Sequence, residues 1–255
     1  MSRIIAIVNR KGGVGKTTTA VNLAAAAAAA GKKILLVDFD PQGNTTTSFG
    51  IQKEDNQPTI YEVITGQCSI AEATRMIVGP SQLGLIPSTA NLSGAEVELV
   101  NTRNREYRLR DCLRDESLDF DWILIDCPPS LGLLTLNSLA AAQGALIPLQ
   151  CEFYAMEGLS QVLKTIEIIK KNINKILEVD GILLTLKDAN NPQNIQIEQE
   201  VRHHLGPMTF QTTIPRDVHL SIAPRFGRPG VWYHPWSPGS KAYQNLTLEM
   251  LRKET

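Results

Sequence analysis

The chain has 255 residues, 43% of them hydrophobic and 20% charged, with a formal net charge of -1. That length allows a sizeable core, and the charge balance excludes a uniformly basic nucleic-acid coat while leaving room for a local basic face. Four scattered cysteines (Cys68, Cys112, Cys127, Cys151) form no CxxC pair, which argues against zinc and for free thiols in a reducing compartment.

Apolar runs of strand length alternate with longer helical patterns. "RIIAIVN" (Arg3–Asn9) reads as a buried strand ended by a glycine loop. It is too short for the apolar core of a signal peptide and has no cleavage site after it. "TTTAVNLAAAAAAAG" (Thr17–Gly31) reads as a helix with a glycine stop. Its alanine run, Ala24–Ala30, fits tight packing on a sheet, because alanine favours helix and permits close approach. Mostly alanine, it cannot span a bilayer. Strands follow at Lys33–Asp40, Leu83–Pro87, Asp121–Pro129, Gly144–Gln150, Gly181–Leu186 and Thr209–Pro215. Helices fit Glu157–Asn172, Ile195–Leu205 and Ser240–Lys253. Fully apolar strands alternating with helices predict an α/β fold: one domain over residues 1–255, a mostly parallel twisted sheet with helices on both faces. The expected compartment is the cytoplasm.

The stretch "KGGVGKTT" (Lys11–Thr18) lies between the first strand and the first helix. A standard phosphate loop, GxxxxGK[ST], would place its first glycine at Arg10, so this is a variant. The physics survives the change. Gly12, Gly13 and Gly15 let backbone N–H groups, Val14's among them, turn inward as an anion nest. The following helix points its positive end at the same place. Lys16 is expected to reach the β- and γ-phosphates of ATP, the Thr17 hydroxyl to ligate Mg²⁺, and Thr18 to touch the α-phosphate. Three acids close strands on the same sheet edge. Asp126 ends "ILID", where a carboxylate holds Mg²⁺ through water, and Asp38 and Asp40 end "LLVDFD".

The segments "KGGVGKTTTAVNLA", "LLVDFDPQGNTTTSFG", "LIPSTANLSGAEVEL", "DWILIDCPPSLGLLTLNSLAAA", "IPLQCEFYAMEGLSQ" and "IPRDVHLSIAPRFGRP" resemble the ParA/Soj partition ATPases. These belong to the deviant-Walker group that also holds MinD and the nitrogenase iron protein. The likeness runs from about residue 3 to about residue 250. It implies that Lys11 crosses a dimer interface and contacts the ATP of the other subunit, and that Gly12 stays small so that subunit can approach. It also implies that Asp40 positions the attacking water, leaving Asp38 a structural or supporting role, and that Pro215 and Asp217 contact the adenine. The partners implied are a second copy of the chain, a ParB-like protein and non-specific DNA at the nucleoid.

The pattern is altered where the family meets DNA. Asn190, His219 and Trp236 stand where basic residues are common, and Ile222 stands where glutamate is usual. Arg216 and Arg228 are in place, and Arg225 occupies a usual serine site. Arg216, Arg225 and Arg228 are the DNA-binding candidates; a solvated charged face is the alternative account of them. Trp232, Tyr233 and Trp236 cluster in "GVWYHPWSP", as a partner surface or as a small local core. His203, His204, His219 and His234 lack metal-ligand spacing. The rival readings are an ATPase that positions another cargo, such as a protein cluster or organelle, and a MinD-like membrane ATPase. The ending "SKAYQNLTLEMLRKET" has mixed charge rather than a basic amphipathic tail, so no membrane contact is expected. Cys127 and Cys151 invite comparison with the nitrogenase iron protein, but the surrounding motifs favour the partition branch.

Overall fold

The structure is a computed structural model, and it describes residues 2–52, 57–79, 82–114, 118–152 and 155–254. Eight strands form one sheet: β1 (Arg3–Ile7), β2 (Ile34–Asp38), β3 (Arg75–Met76), β4 (Leu83–Ile86), β5 (Trp122–Asp126), β6 (Gly144–Gln150), β7 (Glu178–Lys187) and β8 (Thr209–Pro215). Their order across the sheet is β3-β4-β2-β5-β1-β6-β7-β8. Every pairing is parallel except β3 with β4. The two-residue β3 has no apolar run to announce it, and the sequence reading passed over it.

Alternation along β1 shows why both faces must be covered. Ile4 and Ala6 belong to one core, while Ile5 and Ile7 belong to another on the opposite face. The second core is closed by the Lys16–Ala29 helix, which buries Ala24, Ala25 and Ala27 completely, and by the Pro238–Arg252 helix, which buries Tyr243 and Leu246. Helices at Ile60–Thr65, Leu133–Ala141 and Ala155–Asn172 cover the first core. Shorter helices, such as Asn44–Ser48 and Val218–Ile222, fill the loops. Their periodicity is too brief to read from sequence.

The chain leaves central β1 for β2 on one side and returns through β5 to reach β6 on the other. The carboxyl ends of β1, β2 and β5 therefore open onto one crevice beside this reversal, where ligands bind in open α/β sheets.

Candidate functional site

The loop between β1 and its helix is shaped by two glycines in the left-handed region, Gly13 (φ 75°) and Gly15 (φ 89°). Any other residue there would be strained. Gly12 differs: its φ is unexceptional, and a Cβ built on it meets nothing within 4 Å among the described residues. None of the described residues requires Gly12 to be glycine. The loop is pinned on both sides. The Thr185 hydroxyl donates to the Val14 carbonyl at 2.8 Å. Asn9 accepts from the Lys11 amide at 3.0 Å and donates to the Pro148 carbonyl at 2.7 Å.

The Lys16–Ala29 helix starts with no side-chain cap and no acid in its first turn. Its first N–H groups keep their positive character for an anion. Lys16 is buried, and its Nζ donates to the Lys11 carbonyl at 3.2 Å. Burial pulls its ammonium below the usual lysine range, opposed chiefly by Asp126. A buried ammonium over a phosphate nest suits the end of a polyphosphate chain.

Asp126 closes the other side. Its Oδ2 accepts from the Thr17 and Thr45 hydroxyls, each at 2.8 Å. Its Oδ1 is buried with no hydrogen-bond partner among the described residues. An orphaned carboxylate oxygen beside a threonine hydroxyl is a hard-oxygen donor set that fits Mg²⁺ held partly through water. Burial raises the Asp126 carboxyl to about 6, with the Thr45 and Thr17 hydrogen bonds opposing. Asp38 is fully buried on the neighbouring strand and accepts from Thr46 N at 2.7 Å and Thr46 Oγ1 at 2.6 Å. Burial and then repulsion from Asp126 push it up to about 7. Asp40, also buried, accepts the Gln42 amide at 3.0 Å. Asp126 and Asp40 thus lie near Lys16, with Asp38 next to Asp126 on the neighbouring strand.

Lys11 stands apart from this group. Its side chain is exposed and pairs with Glu152, beyond the end of β6. The quoted motif around Glu152 also includes residues 153 and 154, which lie outside the described residues.

Pro215 ends β8 in parallel register with Lys187. It lines an open cavity of about 780 Å³ with Lys187, Asp188, Asn190, Arg216 and Lys241. Asp217 is already engaged: its oxygens accept from His219 N at 2.8 Å and Gly239 N at 2.7 Å, capping the Val218–Ile222 helix. Burial would raise Asp217, but hydrogen bonds from Ser237, Gly239 and His219 outweigh it and hold the carboxyl low. Asp217 therefore braces this wall through both of its oxygens.

Arg216, Arg225 and Arg228 are exposed, and none meets a carboxylate within 4.0 Å among the described residues. The aromatic cluster divides. Trp232 packs edge-on against Phe49, as local core. Trp236 is 77% exposed, with Lys241 over its ring.

Sequence reading missed Thr45 and Thr46, which hold Asp126 and Asp38, and Thr185, Asn9 and Glu152. The threonine run in "GNTTTS" was the available signal. Thr185, Asn9 and Glu152 act through pairings across strands, which carry no local signature.

A family model described as "AAA domain" matches residues 2–179. Chromosome partitioning protein ParA of Myxococcus xanthus is 48% identical over 100% of this chain and 90% of its own length. Sporulation initiation inhibitor protein Soj of Bacillus subtilis is 46% identical over 98% of each chain. Among solved structures, cobyrinic acid a,c-diamide synthase from Mycobacterium smegmatis, with bound ATP analogue and magnesium, is similar at a TM-score of 0.85 and 34% identity, covering 100% of this chain and 96% of that one.

Proposed function

We propose that this chain, which belongs to the ParA/Soj family of partition ATPases, works as an ATP-dependent dimerising switch for chromosome or plasmid segregation. It is a P-loop ATPase whose cofactors are ATP and Mg²⁺. The synthase relative is named for a different reaction, and its likeness supports the fold and the nucleotide site only. We read the chain as one ATPase domain over residues 1–255.

Within the site the residues divide the work. The amides of Gly12, Gly13, Val14 and Gly15, with those of Lys16, Thr17 and Thr18, cradle the phosphates. Lys16 offsets their charge. Thr17 and Asp126 hold Mg²⁺, which when bound neutralises charge building on the β- and γ-phosphates. Asp40 orients the attacking water, while Asp38 stays a buried brace. Pro215 and the segment fixed by Asp217 wall the adenine.

The observation that carries the switch reading is Lys11. Lys16 already serves the loop, and Lys11 is held away from it by an exposed ion pair with Glu152. A second lysine at the mouth of the site serves the ATP of a facing subunit, where two polyanions would otherwise repel. Gly12, open within one chain, leaves room for that approach.

In the closed dimer, Arg216, Arg225 and Arg228 of both subunits grip DNA through phosphates, and a ParB-like protein stimulates hydrolysis. Positioning of a different cargo by the same cycle is the second reading. Membrane docking is disfavoured because the Pro238–Arg252 helix spends its apolar face, Ala242, Tyr243, Leu246 and Met250, on the core. Among the described residues no helix is long and apolar enough to cross a membrane.

The deciding experiment is a DNA titration with ATP, ADP and no nucleotide at two salt concentrations. Binding should require ATP and weaken with salt. Equal binding in ADP would overturn the switch.

A further inference from the structure

The two oxygens of Asp126 are held differently. Oδ2 accepts from two hydroxyls, Thr17 and Thr45, each at 2.8 Å, while Oδ1 is buried with no hydrogen-bond partner among the described residues. Thr17 comes from the phosphate-loop helix and is one of the two proposed Mg²⁺ holders. Thr45 comes from the Asn44–Ser48 helix after β2 and is wholly buried. It belongs neither to the loop nor to a strand end.

A lone donor fixes a carboxylate poorly, because the terminal torsion of aspartate is broad and roughly two-fold. Thr17 also has a second duty: its oxygen must give a lone pair to Mg²⁺ while its hydrogen stays on Asp126. Thr45 has only the one. Two donors from two elements on one oxygen set the carboxylate plane and leave Oδ1 as the open acceptor. Outer groups orient metal-holding acids in this way.

The element that carries Thr45 gives the bond a longer reach. The turn leading into its helix is built on Asp40, whose carbonyl accepts Gly43 N at 2.9 Å and whose Oδ1 accepts Gln42 N at 3.0 Å. Thr46, next along, donates to Asp38, and its Oγ1 accepts the Ser88 amide at 2.9 Å. Beyond the helix, Gly50 and Gly227 meet backbone to backbone: a Cβ on Gly227 would lie 2.7 Å from the Gly50 Cα. The helix is therefore fixed at both ends, and the Thr45 hydroxyl ties the Asp40 turn to Asp126.

From this geometry we infer that Thr45 is a positioning residue of the ATPase site. It keeps Asp126 turned so that Oδ1 is free for Mg²⁺ or its water, and it holds the Asp40 turn in register with that carboxylate. Thr45 acts through these two acids and not on the nucleotide. The inference rests on the reading of Thr17 and Asp126 as the Mg²⁺ pair and adds a residue from a third element.

The test uses the full chain and a fluorescent ATP analogue, whose binding is followed as Mg²⁺ is titrated and again in EDTA. Thr45→Val keeps the shape and drops the hydroxyl; Thr45→Ser keeps the hydroxyl. Thr45→Val should raise the Mg²⁺ concentration at half-saturation by about 10- to 100-fold. Its affinity in EDTA should match the parent. Turnover of ATP at saturating Mg²⁺ should fall by about 10-fold or more, because the Asp40 turn loosens. Thr45→Ser should restore both. If Thr45→Val needs no more Mg²⁺ than the parent, or loses as much affinity in EDTA as with Mg²⁺, the inference is overturned. Thr45→Ser as impaired as Thr45→Val overturns it too. A parent whose analogue binding ignores Mg²⁺ would instead sink the Thr17–Asp126 metal reading, and the inference with it. Thermal melts establish that each variant is folded, and Thr45→Ala repeats the loss of the hydroxyl should Thr45→Val fail to fold.

Discussion

Lys16 and Asp40 sit a few side chains apart yet are buried for different reasons. Lys16 lies on the positive helix end and carries charge that meets phosphate in the ground state. Asp40 lies past the end of β2, where it can orient water. Lys16→Ala is therefore expected to lose ATP binding in a fluorescent-nucleotide titration. Asp40→Ala should keep binding while turnover falls at least about 100-fold, because positioning matters only to the attack. Turnover at the parent rate in Asp40→Ala would move that role to another acid. Asp38 makes a separate prediction. Its carboxyl is raised by burial to about 7 from an ordinary 3.8. Below about pH 4 both folded and unfolded chains hold the proton, and Asp38 costs nothing. As pH rises towards 7 the unfolded chain releases the proton first, and a penalty of order 4 kcal/mol builds up. Without nucleotide or Mg²⁺, Asp38→Asn should gain stability over the parent at pH 8, and the gain should shrink as pH falls to 5. Urea melts at the two pH values measure it; a pH-independent difference would show that Asp38 is ionised throughout.

At the level of elements, the alanine run has a mechanical meaning. Ala24, Ala25 and Ala27 are wholly buried, whereas Ala29 is exposed. The helix lies so close to the sheet that a methyl fills each gap. Ala25→Leu should cost about 1–3 kcal/mol through overpacking, while Ala29→Leu should change stability by less than about 0.5 kcal/mol. Thermal melts of the two variants compare them directly, and equal midpoints would mean the interface has slack. This element was legible because it declares itself in one unbroken run, as do the apolar strands and the phosphate loop. The Val218–Ile222 and Gly230–Tyr233 helices were not legible. They owe their shape to distant partners: Asn22 Oδ1 accepts the Val231 amide at 3.0 Å, and Asp217 reaches Gly239. Likewise Asp126 was readable as a strand-end acid, but its hold by Thr45 depends on how two loops meet. Trp232 and Trp236 lie in one short phrase of sequence, yet one faces Phe49 and the other solvent. Composition could not separate them.

For the whole molecule, the question is what one chain cannot finish alone. The glycine loop with Lys16, the Thr17 and Asp126 oxygens proposed for Mg²⁺ and the acid proposed to orient water, Asp40, all belong to it. Basal hydrolysis should still be slow, since among the described residues no arginine side chain is hydrogen-bonded to Thr17 or Asp126; Arg228 lines the pocket beside Thr17 and Thr18 without bonding to either. Lys11 is the group left over. Its pairing with Glu152 is exposed on both sides, and such pairs are worth little, so Lys11 leaves it at small cost. Shielded between two subunits and facing a triphosphate, the same ammonium is worth far more. Lys11→Ala should therefore bind ATP as a monomer nearly as the parent does, but fail to dimerise, and lose DNA binding because one basic face holds less than two. Glu152→Gln is the matched control. It removes the same ion pair but keeps the ammonium, so it should still dimerise. Both are measured by sedimentation with ATP in the Asp40→Ala background. If Lys11→Ala dimerises as well as its parent, Lys11 does not cross the interface. If Glu152→Gln fails as badly as Lys11→Ala, the ion pair itself, rather than a freed Lys11, builds the dimer.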